Sequence, residues 1–260
     1  MFLFDELVYR PIYNLLIFIY NIVPMHDFGV AIILVTVIIK FILIPLSRKQ
    51  IESQKRMQEL QPKIKEIQDK YKNDKEKQSR ALMEFYKENK ANPFSGCLPM
   101  IFQLVFLIAI YRVLFNISQN GLMVNSSDLY AFMHNPGQIK HLFLGLIDLS
   151  SIVDFKSFSA GNIAHIILVI MAAGAQYFQT KMLMATKAKT EKDNKNDKKD
   201  DKTPDFAQIM TKQMLYLAPI MTLFIGVKFP AGLALYWLVS TLFMLAQQEY
   251  LEKKSNSVKL

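Results

Sequence analysis

The sequence predicts an all-α integral membrane protein. It has five transmembrane helices, N-terminus out and C-terminus in, with a cytoplasmic helical hairpin and an N-terminal interfacial amphipathic helix. Three observations predict it. Apolar blocks long enough to cross a bilayer alternate with blocks rich in Lys, Asp and Glu, in a chain of 260 residues that is 52% hydrophobic. The basic residues are distributed unevenly among the connecting segments. The first long polar segment carries a heptad-spaced apolar seam instead of the composition of a plain linker.

Residues 1–27 contain PIYNLLIFIYNIVPM, apolar but short for a span and interrupted by Asn14 and Asn21. A sixth span here would also break the alternation of charge, so the segment reads as an extracytoplasmic amphipathic helix in the membrane interface. It has neither a basic n-region nor a small-residue cleavage pattern, and a cleaved signal peptide is not expected. The spans are expected at 28–46, 94–116, 162–184, 213–228 and 231–248. Pro219 interrupts the fourth, and Phe229-Pro230 separates it from the fifth, since proline cannot continue a helix there.

Residues 47–93 contain thirteen Lys and Arg, 185–212 contain eight and the tail 249–260 contains three, whereas 117–161 contain only Lys140 and Lys156. The basic segments belong in the cytoplasm and the poor one outside. Within 47–93, Met57, Leu60, Ile64, Ile67 and Tyr71 form a 3-4-3-4 seam, Asn73-Asp74 offers a turn, and Leu82, Phe85 and Tyr86 continue an apolar face. This predicts an antiparallel helical hairpin. Residues 185–212 contain KAKTEKDNKNDKKDDKTPD, which buries no core and reads as a disordered linker.

The chemical signatures are mostly negative. The chain lacks HExxH, GxSxG and Walker A patterns, and its four histidines lack metal-ligand spacing; His165 reads as an interfacial hydrogen-bonder. A single cysteine, Cys97, excludes an internal disulfide. No catalytic residue, metal or cofactor is expected. What remains is polar chemistry inside the spans. Lys40 is the one charge in FGVAIILVTVIIKFILIPL and costs roughly 2.5–3.5 kcal/mol there, which the fourteen Val, Ile, Leu and Phe residues of that run outweigh. Thr36 lies four residues earlier on the same helix face. Gln103 is in the second span, Gln176, Gln179 and Thr180 in the third, and Tyr236, Trp237, Ser240 and Thr241 in the fifth. Polar groups in hydrocarbon need partners or water, and if these converge they line a hydrophilic pocket. Snorkelling of Lys40 to headgroups and ordinary interhelical hydrogen bonds for the others are the alternative readings.

Four stretches carry a resemblance: VTVIIKFILIPLSRKQ followed by MQELQPKIKEIQDKY, then NPFSGCLPMIFQLVFLIAIYRVL, then FLGLIDLS, then FPAGLALYWLVSTLFMLAQQ. Together they resemble the YidC/Oxa1/Alb3 family of membrane protein insertases, in its short bacterial form without a large periplasmic domain. The resemblance implies a membrane protein insertase and chaperone without catalysis. It implies a positively charged hydrophilic groove open to cytoplasm and lipid, with Lys40, Thr36, Gln103, Gln179 and Trp237 at groove positions. Gln176, Thr180, Tyr236, Ser240 and Thr241 are further candidates for its lining. The implied partners are nascent membrane proteins and the lipid bilayer, with a Sec translocon and the ribosome in addition, and no DNA; the implied location is the bacterial plasma (inner) membrane. Two departures stand out: Lys40 where the family is expected to have arginine, and Val105 where it often has proline. The rival reading is a small-ion or solute channel or transporter using Lys40 as a binding site. No acidic residue in the spans supports a proton relay for it.

Overall fold

The computed structural model describes residues 2–89, 91, 98–192 and 206–257. Among these the chain is mostly helical, apart from a long loop between the sixth and seventh helices that carries one short antiparallel strand pair. In order it forms α1 (Phe2–Phe4), a π-turn segment (Asp5–Tyr9), α2 (Arg10–Ile22), a 3₁₀ turn (Pro24–His26), α3 (Phe28–Ile42), α4 (Ile44–Lys70) and α5 (Lys75–Glu88). Then follow α6 (Leu98–Gln119), β1 (Leu142–Phe143), β2 (Ile147–Asp148), α7 (Ala160–Lys192), α8 (Phe206–Lys228) and α9 (Ala231–Ser257).

Two helical stretches, Ala160–Met182 and Ala231–Leu251, are long and apolar enough to cross a membrane. At 1.5 Å per residue, their 23 and 21 residues reach about 30–35 Å, the thickness of a bilayer core. A third span results if Phe28–Ile42 and Ile44–Ser53 are taken as one, and Gln103–Gln119 and Leu215–Lys228 are shorter apolar helices. The first apolar run is therefore broken near its end, at Leu43, where the sequence pattern continues to Leu46. Pro45 supplies the reason, because its ring clashes with the carbonyl four residues back, that of Phe41, and it has no N–H to donate. Pro219 has the opposite outcome: α8 continues through it. At the other ends of the basic segment 185–212, α7 runs to Lys192 and α8 starts at Phe206; residues 193–205, the centre of the expected linker, lie outside the described residues.

The chain divides into two compact units. The second, Leu43–Gln103 with Lys181–Asp205, contains the hairpin. There α4 packs on α5 through the predicted seam, with Ile64 buried. Asp74 caps α5, its carboxylate accepting the Lys77 N–H at 3.0 Å, and Gln78 Nε2 donates to the Gln68 carbonyl at 2.8 Å.

The first unit, Met1–Ile42 with Leu104–Thr180 and Phe206–Leu260, holds the main core. In it α3 packs chiefly on α9 and on α2. Along α2, Tyr13, Leu16, Ile17 and Tyr20 are fully buried, while Phe18 and Ile22 face outward. The buried face of the N-terminal segment is stitched to distant chain by its polar tips. The Tyr9 hydroxyl donates to Asp128 Oδ2 at 3.2 Å and accepts from Asn116 Nδ2 at 2.8 Å. The Tyr13 hydroxyl accepts the Asn125 N–H at 2.9 Å, the Tyr20 hydroxyl accepts the Lys140 N–H at 2.9 Å, and Arg112 pairs with Asp5. Asn14 and Asn21, the two residues that interrupt the apolar pattern, are among these pins.

Candidate functional site

The site is built around α9, so its anchoring comes first. A helix begins with N–H groups that lack intrahelical partners. At the start of α9 two of them are satisfied by the loop before α7: Ala231 N–H donates to the Ser151 carbonyl and Gly232 N–H to the Leu149 carbonyl, both at 3.0 Å. Gly232 permits this approach, since a Cβ there would lie 3.3 Å from the Leu149 oxygen and 3.1 Å from Leu114 Cδ1. The loop is itself locked to α3, because the Phe143 ring occupies the space of a Cβ at Gly29. It is further held by Asp27 Oδ2, which accepts the Leu144 N–H at 2.7 Å. FLGLIDLS and FPAGLALYW are thus two halves of one joint.

One to four turns further along α9 come the polar candidates. Tyr236, Ser240 and Thr241 are buried and Trp237 is half-buried. The Trp237 indole N–H donates to Gln176 Oε1 of α7 at 3.3 Å, and Gln179 Nε2 lies 3.5 Å from the Met244 sulfur of α9. Thr180 donates to the Gln176 carbonyl at 2.9 Å, one turn back on its own helix. Below Trp237, the space between α7, α8 and α9 is nearly closed. The void lined by Val169, Ala172, Thr222, Gly226, Leu233 and Trp237 has a volume of about 10 Å³, at the limit for a single water. Val169 and Gly226 are close enough there that a Cβ on the glycine would meet Val169 Cγ1 at 2.6 Å.

Lys40 is half-buried in the last turn of α3. Thr36, one turn earlier, is buried and donates its hydroxyl to the Ile32 carbonyl at 2.6 Å, so its polarity is spent within α3. The residue after Lys40, Phe41, meets Phe243 of α9 edge to face with ring centroids 5.1 Å apart. Phe243 and Met244 are neighbours on α9. The Lys40 end of α3 and the Gln179 region of α7 therefore meet α9 at the same level along its axis.

Six of the sequence candidates, Lys40, Gln176, Gln179, Tyr236, Trp237 and Ser240, belong to α3, α7 and α9 of the first unit, with Thr36, Thr180 and Thr241 beside them on the same helices. Gln103 is half-buried and belongs to the second unit. The pairing of Gln176 with Trp237 was not visible in sequence, because a glutamine and a tryptophan 61 residues apart leave no local pattern. His165 differs from its reading as an interfacial hydrogen-bonder. It is 1% exposed in α7, close to the Gly226 backbone, and neither ring nitrogen completes a hydrogen bond of good geometry among the described residues.

Two helices long and apolar enough to cross a membrane, and a third if Phe28–Ile42 and Ile44–Ser53 form one span, define the class as a membrane protein. The comparisons with known proteins narrow this class. The sequence profile of the family described as 60Kd inner membrane protein (YidC/Oxa1) matches residues 18–258, and the chain belongs to this family. It is similar to the membrane protein insertase YidC of Fusobacterium nucleatum, 32% identical over 249 residues, covering 95% of this chain and 98% of that protein. It is likewise similar to the membrane protein insertase YidC of Geobacter metallireducens, 32% identical over 94% of this chain and 36% of that protein. The protein of that name from Syntrophus aciditrophicus is 34% identical over the same shares. The chain thus spans nearly the whole of the first relative and about a third of the other two.

Proposed function

We propose that this chain is a membrane protein insertase and chaperone of the bacterial plasma membrane, with five spans, the N-terminus outside and the C-terminus in the cytoplasm. The observation that carries the reading is the full-length similarity to a protein named an insertase, joined to a half-buried lysine in the last turn of an otherwise uncharged apolar helix. The working surface is a hydrated groove open to cytoplasm and lipid, with Lys40 of α3, Gln179 of α7 and Trp237 of α9 at it. A charge in hydrocarbon is costly, so Lys40 holds water near it, and a polar segment of a nascent membrane protein can enter that water without crossing the full bilayer. Acidic groups of the client are attracted to Lys40 more strongly than in bulk water, because the surrounding dielectric is lower. The attraction is transient. The client's apolar helix then leaves sideways into lipid, driven by burial of its own apolar surface. No bond is made or broken, and no nucleotide is consumed. The hairpin of α4 and α5 receives the client on the cytoplasmic side, where the ribosome and a Sec translocon are the proposed neighbours.

The test is complementation in cells depleted of their own insertase. Lys40→Arg should support growth and client insertion at least as well as the original, since arginine keeps its charge. Lys40→Glu should abolish both, and Lys40→Ala should reduce insertion of clients with acidic translocated segments first. Full rescue by Lys40→Glu would remove the attraction mechanism. Photocrosslinks from positions 40, 103 and 237 to ribosome-stalled nascent chains are expected, and crosslinks confined to lipid would count against the groove.

A further inference from the structure

At the end of the first unit where α2 turns into α3, a cleft of about 440 Å³ opens between that turn and the segment 134–140. This volume is within the range of small-molecule sites. Its polar lining is made by Asn21, His26, His134, Gln138 and Lys140. All five side chains carry N–H donors, of which Gln138 Nε2 also donates to the Gly121 carbonyl at 3.5 Å, and no carboxylate is among the lining residues. The nearest acid in sequence, Asp27, is committed elsewhere. Its Oδ1 accepts the Gly29 and Val30 N–H groups at 2.8 and 3.1 Å, and its Oδ2 accepts that of Leu144.

The cleft is constructed, not incidental. Met25 and His26 both have positive φ, 63° and 53°, in the left-handed region that non-glycine residues rarely adopt. Such strain persists where the surroundings over-determine it. It turns the His26 ring edge-on to Tyr20 at a centroid distance of 5.6 Å, which brings the imidazole to the cleft. The opposite wall is tied to α2 at two points: the Tyr20 hydroxyl accepts the Lys140 N–H, and Asn21 Nδ2 donates to the His134 carbonyl at 2.8 Å. These bonds use backbone groups of Lys140 and His134 and leave the side chains to face the cleft.

Beside the cleft runs an apolar strip. Phe18 and Ile22, one helical turn apart on α2, are 47% and 61% exposed, and Met25 is 86% exposed. A donor-rich cleft with a lysine, adjoining an exposed apolar strip, has the two chemistries of an anionic phospholipid. We propose that this cleft binds the headgroup phosphate of an anionic phospholipid, with its acyl chains along Phe18 and Ile22. The site lies apart from Lys40 and does not rest on the insertase reading.

The experiment is native mass spectrometry of the full chain with phosphatidylglycerol or phosphatidylcholine, complemented by titration with inorganic phosphate and glycerol phosphate. Phosphatidylglycerol should be retained in preference to phosphatidylcholine. Lys140→Gln should lower its retention about five-fold, the scale of one basic residue at an anionic surface. His26→Gln with His134→Gln should lower it further, and Lys156→Gln, at another exposed lysine, should leave it unchanged. Phe18→Ser with Ile22→Ser should weaken phosphatidylglycerol and spare glycerol phosphate. Equal retention of both lipids, or equal loss with Lys156→Gln, would overturn the site. Binding of inorganic phosphate as tight as that of phosphatidylglycerol would overturn the lipid assignment. Lys140→Gln alters an exposed side chain whose backbone N–H makes the Tyr20 contact, so the fold is kept in that arm.

Discussion

Asn14 is where the fold can be tested most sharply. It is 3% exposed in α2, and both its amide hydrogens and its amide oxygen are engaged. Its Nδ2 donates to the carbonyls of Arg10 at 2.8 Å and Asp128 at 2.9 Å, and its Oδ1 accepts the Tyr130 N–H at 2.7 Å. Asn14→Leu keeps the branched shape and improves the apolar pattern of the helix, so a reading from hydropathy alone predicts a neutral or stabilising change. The structure predicts the reverse. The Arg10 carbonyl retains its helical partner, but the Asp128 carbonyl and the Tyr130 N–H lose theirs. Each orphaned group costs about 1–3 kcal/mol, and both residues are half-buried, so the loss belongs in the lower part of the summed range, roughly 2–4 kcal/mol. For a chain of this length that corresponds to about 5–15 °C in thermal midpoint. The assay is thermal unfolding of the purified protein in detergent, together with limited proteolysis within 117–161. A midpoint within about 2 °C of the original, with unchanged cleavage, would refute the role of Asn14 as a pin and leave α2 held by apolar contacts alone.

Gly29→Val should destabilise by about 1–3 kcal/mol through overpacking, because a Cβ there would sit 2.2 Å from Phe143 Cδ2; Phe143→Ala in the same chain should recover part of the loss. High pH should act through Tyr9 and Tyr13. Burial raises the Tyr13 hydroxyl to about 12 and the Tyr9 hydroxyl further, against 10 when unfolded. The folded state holds these protons more tightly, so their stabilisation is complete below pH 10 and is lost as pH rises through 12 and beyond. The midpoint should fall over that window, and Tyr13→Phe should make the fall shallower. Trp237→Phe removes one donor and leaves Gln176 Oε1 without it, and should cost about 1 kcal/mol while leaving the helix content by circular dichroism unchanged.

Hydropathy made the apolar helices legible. The expected spans at 162–184 and 231–248 overlie helical stretches of bilayer length, and the break at Phe229-Pro230 stands where proline requires it. The hairpin was legible as well, because a heptad seam and an Asn-Asp turn are local signals. Two things were not. The end of α3 at Leu43 depends on which carbonyl Pro45 would strike, while Pro219 lies within a continuous α8; composition does not separate the two cases. The pins of α2 join residues more than 100 positions apart, as in Asn14 with Asp128, and such pairs leave no periodic trace. The candidate site divides the same way. Its residue types were legible, since polar groups in apolar helices stand out. Their pairing was not, and Thr36 and Thr180 turn out to satisfy their hydroxyls on carbonyls of their own helices.

The motif FPAGLALYWLVSTLFM acquires a physical reading position by position. Pro230 ends α8 and frees the chain to start α9 at Ala231, where small residues let the 149–151 carbonyls reach the first N–H groups. Leu233, Ala234 and Leu235 are buried beyond that joint, and the near-closed void beside Trp237 means the helix cannot shift there without opening empty space. Past Trp237 the contacts change character. They include the indole hydrogen bond to Gln176, Gln179 against the Met244 sulfur and the Phe41–Phe243 pair, beside the buried Leu238, Ser240 and Thr241. The start of α9 is thus held by backbone hydrogen bonds and close packing. Gly232→Leu, which loosens the fixed end, and Lys40→Ala, which leaves it intact, should consequently separate. The first should lower thermal stability, as overpacking does by about 1–3 kcal/mol, and the second should lower client insertion. Unchanged stability in Gly232→Leu would remove the 149–151 joint as the anchor of α9.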